Sequence, residues 1–124
     1  MLLLHAMESK DVRLNWKIET VCFRVVQESL SNVFRHACAR QVTVTLNTDK
    51  SSFHLQIEDD GKGMDSIQVK SMVGLGLMGM QESVTLAGGA LTIDSELSRG
   101  TIVHATFPLK VAIRRVQQKR RGSL

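Results

Sequence analysis

Apolar residues recur at three- and four-residue spacing from about residue 18 to residue 37. They are Cys22, Val26, Leu30, Val33 and Ala37. This spacing predicts the inner face of a long amphipathic helix. A second helical pattern runs from about residue 77 to residue 87 and stops at Gly88-Gly89, where glycine is a normal C-terminal stop.

Four other segments alternate apolar and polar residues, the pattern of half-buried strands. Their apolar positions are Val42, Val44 and Leu46; Phe53, Leu55 and Ile57; Leu91 and Ile93; and Val103, Ala105 and Phe107. The first two segments are predicted to form a hairpin around residues 48–52, and the last two a hairpin around Ser98-Arg99-Gly100. Residues 11–17 are predicted to form a short edge strand.

The order of these elements is helix, hairpin, glycine-bearing stretch, helix and hairpin. It predicts an α/β fold, a two-layer sandwich whose mixed, mostly antiparallel sheet is covered on one face by helices. The 124 residues, 43% of them apolar and 23% charged, fit one domain, placed here at residues 1–109. A domain of this size can be stable without a disulfide or a structural metal, so Cys22 and Cys38 are expected to remain thiols.

The net charge of +4 comes from the end of the chain. Residues 110–124 hold six of the 16 basic residues and no acidic one, which leaves a net charge of −2 on residues 1–109. Residues 110–124 are therefore interpreted as a solvated basic tail, and no nucleic-acid partner is expected. The apolar opening is interrupted at His5 and Glu8, too early for a membrane span, and a cytoplasmic location is predicted.

Polar residues form an edge along the first predicted helix. On a helical wheel of ~100° per residue they fall within one stripe opposite the predicted apolar face; they are Glu28, Asn32, Arg35 and His36. A carboxylate one turn from an amide oxygen can hold Mg²⁺ and its waters, and Arg35 could meet phosphate oxygens. For these residues alone, a solvated helix face is the alternative.

Asp59 follows directly on a strand pattern, in the segment Asp59-Asp60-Gly61-Lys62-Gly63. If it is the last inward-facing residue of that strand, its carboxylate is partly buried and must find hydrogen-bond donors. An adenine amino group would supply one, whereas guanine presents a carbonyl oxygen at the equivalent position. Gly61 and Gly63 would let the backbone approach the base. Taken alone, Asp-Asp-Gly is also a common turn.

The second helix opens with Gly74-Leu75-Gly76-Leu77. The free backbone N–H groups and the dipole at such a helix N-terminus attract phosphate. The segment is neither a P-loop nor a dinucleotide fingerprint. A flexible connector is the alternative for this motif by itself.

Taken together, these motifs and Gly100-Thr101 resemble the ATP-binding domains of histidine kinases, over about residues 19–109. The wording Gln27-Glu28-Ser29-Leu30-Ser31-Asn32 is most similar to the nitrate-sensor-type subfamily, which lacks the phenylalanine-bearing box of other histidine kinases. The superfamily also holds gyrase-type topoisomerases, mismatch-repair ATPases and a heat-shock chaperone. The resemblance implies its Bergerat-type ATP-binding fold, with ATP and Mg²⁺ as cofactors.

The same resemblance implies roles for the residues of the helix edge. Asn32 would ligate Mg²⁺, and Glu28 would organise a water of that metal or assist proton removal. Arg35, where the family more often has lysine, and His36 would lie near the phosphates. Asn32 and Glu28 are thus the implied metal site, and Glu28, Arg35 and His36 the catalytic residues.

The resemblance also implies nucleotide contacts in the later motifs. Asp59 would bind the adenine amino group, between glycines that shape the base pocket, and Thr101 would contact the base side. The ATP lid, residues 64–73, would close over the nucleotide and end at the second helix. The implied base-pocket glycines are Gly61 and Gly63, and the implied lid-end residues are Gly74 and Gly76. Leu77 is a further implied nucleotide-binding residue.

The implied activity is transfer of the γ-phosphoryl group of ATP to a histidine on a separate dimerisation and phosphoacceptor hairpin. A response regulator would be the indirect partner. Only about 18 residues precede the first helix, so this chain is expected to be the catalytic fragment of a longer kinase or a rare free-standing copy. It is expected to be monomeric and unable to autophosphorylate alone. The alternatives are an anti-sigma-factor-type serine kinase and a nucleotide-free interaction module on the same fold.

Overall fold

The structure, a computed structural model, describes residues 2–5, 12–65, 67, 69 and 76–115. The strands are β1 (Leu2–His5), β2 (Val12–Leu14), β3 (Val42–Thr48), β4 (Ser52–Asp59), β5 (Ala90–Glu96), β6 (Gly100–Pro108) and β7 (Ile113–Arg115). The helices are α1 (Trp16–Asn32), α2 (Leu77–Leu86) and the short α3 (Leu109–Ala112). A π-helical turn, Val33–Ala37, follows α1.

Five strands form one mixed sheet in the order β1-β3-β4-β6-β5. β1 is parallel to β3, and the other pairs in this sheet are antiparallel. The register places Val42 and Thr101 on either side of Asp59, the last residue of β4. Asp59 therefore lies in the middle of the sheet, at the end of β4 where the neighbouring strands β3 and β6 begin.

The core lies between one face of this sheet and helices α1 and α2. In β4 every second residue from Phe53 to Asp59 is buried, and β6 buries Val103, Ala105 and Phe107. Leu77, Met80 and Val84 of α2 are buried in the same apolar cluster. The predicted two-layer α/β sandwich is thereby confirmed.

The buried face of α1 differs from the predicted one. The helix begins at Trp16, where the side chain of Asn15 accepts a hydrogen bond from the backbone N–H of Lys17 at 2.9 Å. Its buried residues are Ile18, Cys22, Val25 and Ser29, whereas Val26 and Leu30 are only partly buried. The face is rotated by roughly 60° from the prediction, which brings Asn32 beside it rather than opposite.

Two peripheral predictions need correction. The predicted edge strand at residues 11–17 is shorter, and β2 pairs with β7 in a separate two-stranded sheet. Regular structure continues past residue 109, where the basic tail was expected to begin, because α3 buries Ala112 and leads into β7. Among the described residues, no helix has the length and apolar character needed to cross a bilayer.

Candidate functional site

A cavity of about 150 Å³ lies between the end of α1 and the end of β4. Asn32 and Asp59 both line it, so the predicted metal residue and the predicted base residue share one space. The other polar lining residues are Ser29, His36, Lys62 and Thr101. The apolar lining residues are Val33, Ile57, Met64, Leu77 and Val103. A flat apolar group with a few polar atoms would fit such a lining.

Asp59 is the buried acid of this cavity. Its exposed fraction is 8%, and its carboxylate accepts a hydrogen bond from the backbone N–H of Gly61 at 2.8 Å. Burial raises the pKa of Asp59, and the nearby Asp60 charge raises it further, against the opposing effect of the Gly61 hydrogen bond. An additional donor from a ligand would therefore stabilise the ionised carboxylate.

The neighbouring acid, Asp60, is exposed and lies outside the cavity lining. Its Oδ1 accepts hydrogen bonds from the backbone N–H groups of Arg40 at 2.9 Å and Gln41 at 3.0 Å. Both hydrogen bonds lower the pKa of Asp60, and the one from Gln41 has the larger effect. Asp60 thus holds the segment before β3 against the end of β4, and Asp59 alone of this pair faces the cavity.

Ser95 on β5 connects the loop after β4 with Thr101. Its hydroxyl oxygen accepts a hydrogen bond from the backbone N–H of Met64 at 2.8 Å and lies 2.7 Å from the Thr101 hydroxyl. Ser95 also contacts the Gly100 carbonyl oxygen as a donor at 3.1 Å. Two residues of the cavity lining, Met64 and Thr101, are therefore positioned by one side chain behind them.

The loop after β4 is packed closely against the β5–β6 hairpin. Gly63 has φ +69°, and a β-carbon there would overlap the carbonyl oxygen of Glu96. The backbone N–H of Ser98 donates to the carbonyl of Lys62 at 2.7 Å. Only glycine permits this approach at position 63, which explains the physical need for the second glycine of the motif.

The predicted polar edge of α1 is divided in the structure. His36 lines the cavity, whereas Arg35 is exposed and lies outside the lining. Glu28 lies instead against the start of α2, where its Oε2 occupies the space that a β-carbon on Gly76 would need. The four residues thus do not form one surface. Asn32 and His36 line the cavity, Glu28 contacts Gly76 before α2, and Arg35 lies outside the lining.

The glycine motif before α2 is only partly within the described residues. Gly76 is the exposed residue that precedes α2, and Leu77 is buried and lines the cavity. Gly74 lies outside the described residues, as do residues 66, 68 and 70–73 of the predicted lid. Gly61 and Gly63 are buried at the predicted base pocket.

Several lining residues were absent from the sequence-based set, namely Ser29, Val33, Ile57, Lys62, Met64 and Val103. A signal was available for Ile57 and Val103, because each lies two residues from a predicted site residue of its strand, Asp59 and Thr101, and therefore on the same face. Ser29 gave no such signal, because a serine within a helical pattern is ordinary. In the structure its hydroxyl lies 3.8 Å from the sulfur of Met80 on α2.

Comparison with known proteins places the chain in a family. The sequence model of the family described as histidine kinase-, DNA gyrase B- and HSP90-like ATPases matches residues 18–111. DegS of Bacillus subtilis, a signal transduction histidine-protein kinase/phosphatase, is 37% identical over 106 residues, which are 84% of this chain and 28% of DegS. The oxygen sensor histidine kinase NreB of Staphylococcus carnosus is 38% identical over 97 residues, 78% of this chain and 28% of NreB.

The chain therefore spans little more than a quarter of these curated relatives. Among solved structures, the histidine kinase domain of the blue-light-activated kinase EL346 from Erythrobacter litoralis superposes with a TM-score of 0.74, at 21% identity. The match covers 88% of this chain and 51% of that chain, and it shows the common fold. The chain belongs to the histidine kinase-, DNA gyrase B- and HSP90-like ATPases, as an ATP-binding domain of the sensor histidine kinase type.

Proposed function

We propose that this domain binds Mg-ATP in the cavity between α1 and β4 and donates the γ-phosphoryl group to a histidine on a separate dimerisation and phosphoacceptor hairpin. The observation that carries the proposal is the shared cavity of Asn32 and Asp59, with apolar walls between a buried acid and an amide. The family to which the chain belongs supports an ATP ligand.

The base would lie at the Asp59 end of the cavity. The Asp59 carboxylate is buried and carries a raised pKa, so it gains from an amino donor such as that of adenine. A guanine carbonyl oxygen at the same place would meet the carboxylate with like electrostatic sign. Thr101 lies beside Asp59 on the neighbouring strand and supplies a second polar contact for the base side.

The phosphates and the metal would lie at the Asn32 end. The Asn32 side-chain oxygen is a suitable ligand for Mg²⁺, which prefers oxygen and keeps several waters beside nucleotide phosphates. Glu28 of α1, whose carboxylate lies against Gly76 before α2, would orient one of those waters or accept a proton from the attacking nucleophile. His36 and Lys62 bring donors to the same lining. The protein supplies position and charge neutralisation, while the bound metal ion shields phosphate charge.

The binding part of the proposal is tested by thermal unfolding with nucleotides. Mg-ATP should raise the unfolding temperature and Mg-GTP should not, because a ligand stabilises the state that binds it. Asn32→Ala should remove the difference between ATP with and without Mg²⁺. Equal shifts with both nucleotides, or no shift with either, would exclude the proposed base contact.

The phosphoryl transfer is tested by incubating the domain with labelled ATP and an isolated dimerisation and phosphoacceptor hairpin of a sensor histidine kinase. Acid-labile, alkali-stable phosphohistidine on the hairpin is the expected product. Acid-stable phosphoserine on an antagonist protein would instead identify a serine kinase of the anti-sigma-factor type. The domain without a hairpin should acquire no label.

A further inference from the structure

A histidine pair lies on the sheet face opposite the helices, away from the cavity. His54 Nδ1 on β4 is 2.9 Å from His104 Nε2 on β6, and the two rings are stacked with centroids 5.2 Å apart. The register pairs His54 with Thr106 and His104 with Gln56, so the two histidines are diagonal neighbours on one face. Diagonal neighbours on adjacent strands are close enough for long side chains to meet.

Asp49 holds the outer nitrogen of His54. Its Oδ2 is 2.7 Å from His54 Nε2, and its Oδ1 accepts hydrogen bonds from the backbone N–H groups of Ser51 and Ser52 in the β3–β4 turn. Because a carboxylate oxygen accepts hydrogen bonds, the Nε2 that faces Asp49 is the donor nitrogen of His54, and Nδ1 presents its lone pair to His104.

We propose that His54 Nδ1 and His104 Nε2 form a binding site for a divalent first-row transition metal ion. With metal–nitrogen bonds of roughly 2.0–2.1 Å, two imidazole nitrogens in adjacent coordination positions are roughly 2.9–3.3 Å apart. The observed separation of 2.9 Å falls at the 90° end of this range, which is the geometry of Ni²⁺ and Cu²⁺. Metal entry requires that His104 carry its proton on Nδ1 instead of Nε2 and that both rings turn their facing lone pairs towards one point beside the N···N line.

The Asp49 contact strengthens this proposal. A histidine that binds a metal usually donates its other ring N–H to a carboxylate, which fixes the ring and its tautomer. Among the residues that the structure describes, no cluster of three or more His, Cys, Asp or Glu side chains could hold a metal ion. The site would therefore consist of two imidazoles, with waters or the amide oxygens of Asn47 and Gln56, in the same groove, completing the coordination.

This site is distinct from the proposed Mg²⁺ site in both position and chemistry. The histidine pair is on the open sheet face, whereas Asn32 and Asp59 line the cavity on the helix-covered side. Imidazole nitrogens favour Ni²⁺, Cu²⁺ and Zn²⁺, whereas Mg²⁺ favours oxygen ligands. Mg²⁺ at millimolar concentration should thus leave the histidine pair unoccupied.

Titration calorimetry with NiCl₂ tests the site. The background variant is Cys38→Ser, because the exposed thiol of Cys38 is itself a metal ligand. His54→Ala and His104→Ala should each weaken binding at least tenfold, and Asp49→Asn by about tenfold, the lower limit for loss of such an outer partner. Thr106→Ala, which alters the register partner of His54, is the matched control and should bind like the background.

A second measurement needs no substitution at the site. ZnCl₂ added to the protein with ¹⁵N-labelled histidine should shift the resonances of His54 Nδ1 and His104 Nε2, and leave those of His36 unchanged. Mg²⁺ in the same titration should shift neither. Equal Ni²⁺ affinity in His54→Ala, His104→Ala and the background, or zinc-induced shifts confined to other histidines, would overturn the proposal.

Discussion

The carbonyl oxygen of Asp59 lies where a β-carbon on Gly100 would have to be. Gly100 is the first residue of β6 and has φ +87°, a conformation that residues with a side chain rarely adopt. This close approach brings the start of β6 against the end of β4, so Thr101 becomes the strand partner of Asp59. The base end of the cavity depends on this contact between two backbones.

Gly100→Ala should therefore destabilise the domain by about 2 kcal/mol or more, because it introduces both a backbone overlap and a strained φ. Urea unfolding measures the free energy. Gly79→Ala is the matched control, because a β-carbon there meets no atom within 4 Å in the interior of α2. It should stabilise by up to about 1 kcal/mol. Similar unfolding free energies for the two variants would contradict the close approach.

Asp59→Asn should weaken ATP binding at least tenfold, or about 1.4 kcal/mol. The amide can place an N–H donor against the adenine amino group, where the carboxylate has only acceptors. Calorimetry with Mg-ATP measures the change. Asp60→Asn is the control, because Asp60 is exposed and bonds to Arg40 and Gln41 outside the cavity lining. Unchanged ATP affinity in Asp59→Asn would remove this residue from the site.

The raised pKa of Asp59 gives two opposite pH dependences. Between the ordinary pKa of the carboxyl and its raised value, the folded protein binds more protons than the unfolded chain, so the Asp59 contribution to stability falls as pH rises. ATP affinity should rise over the same interval, because the ionised carboxylate is the better acceptor. The ratio of wild-type to Asp59→Asn affinity, measured from about pH 8 down to the ordinary carboxyl pKa of about 4, isolates this group. A constant ratio would contradict the prediction.

Ser95→Ala should reduce ATP affinity roughly fivefold. The substitution removes the hydroxyl that holds Met64 and Thr101, and the net contribution of one hydrogen bond is about 1 kcal/mol. Ser95→Thr keeps the hydroxyl and should retain most of the affinity. Hydrogen exchange at the Met64 amide should accelerate in Ser95→Ala only. Equal affinities in both variants, with unchanged exchange, would show that Ser95 positions neither residue.

The sequence was sufficient to predict the elements that follow a simple period. Phe53, Leu55 and Ile57 alternate, and extending the alternation by one step placed the next inward side chain at Asp59, as observed. Strand β1 could not be predicted, because its short apolar run pairs in parallel with a strand far along the chain. Ser95 was equally hidden, since its significance comes from contacts across the hairpin and the loop.

Arg35 and His36 both lie in the π-helical turn that follows Asn32. A regular α-helix would place Arg35 about 60° and His36 about 40° from Asn32, on opposite sides. With an i→i+5 turn of roughly 4.4 residues, His36 stays within about 35° of Asn32, whereas Arg35 moves beyond about 110°. Such a turn has no clear sequence signature, so a wheel based on the α-helical period could not predict how far Arg35 lies from Asn32.

The anchoring of residues 61–64 on the β5–β6 hairpin has a mechanical consequence. Lys62 and Met64 are each hydrogen-bonded to that hairpin, and Gly63 is packed against its backbone. Residues 61–64 are therefore held in place by the hairpin. The wall of the proposed base pocket would therefore keep its shape when a nucleotide binds.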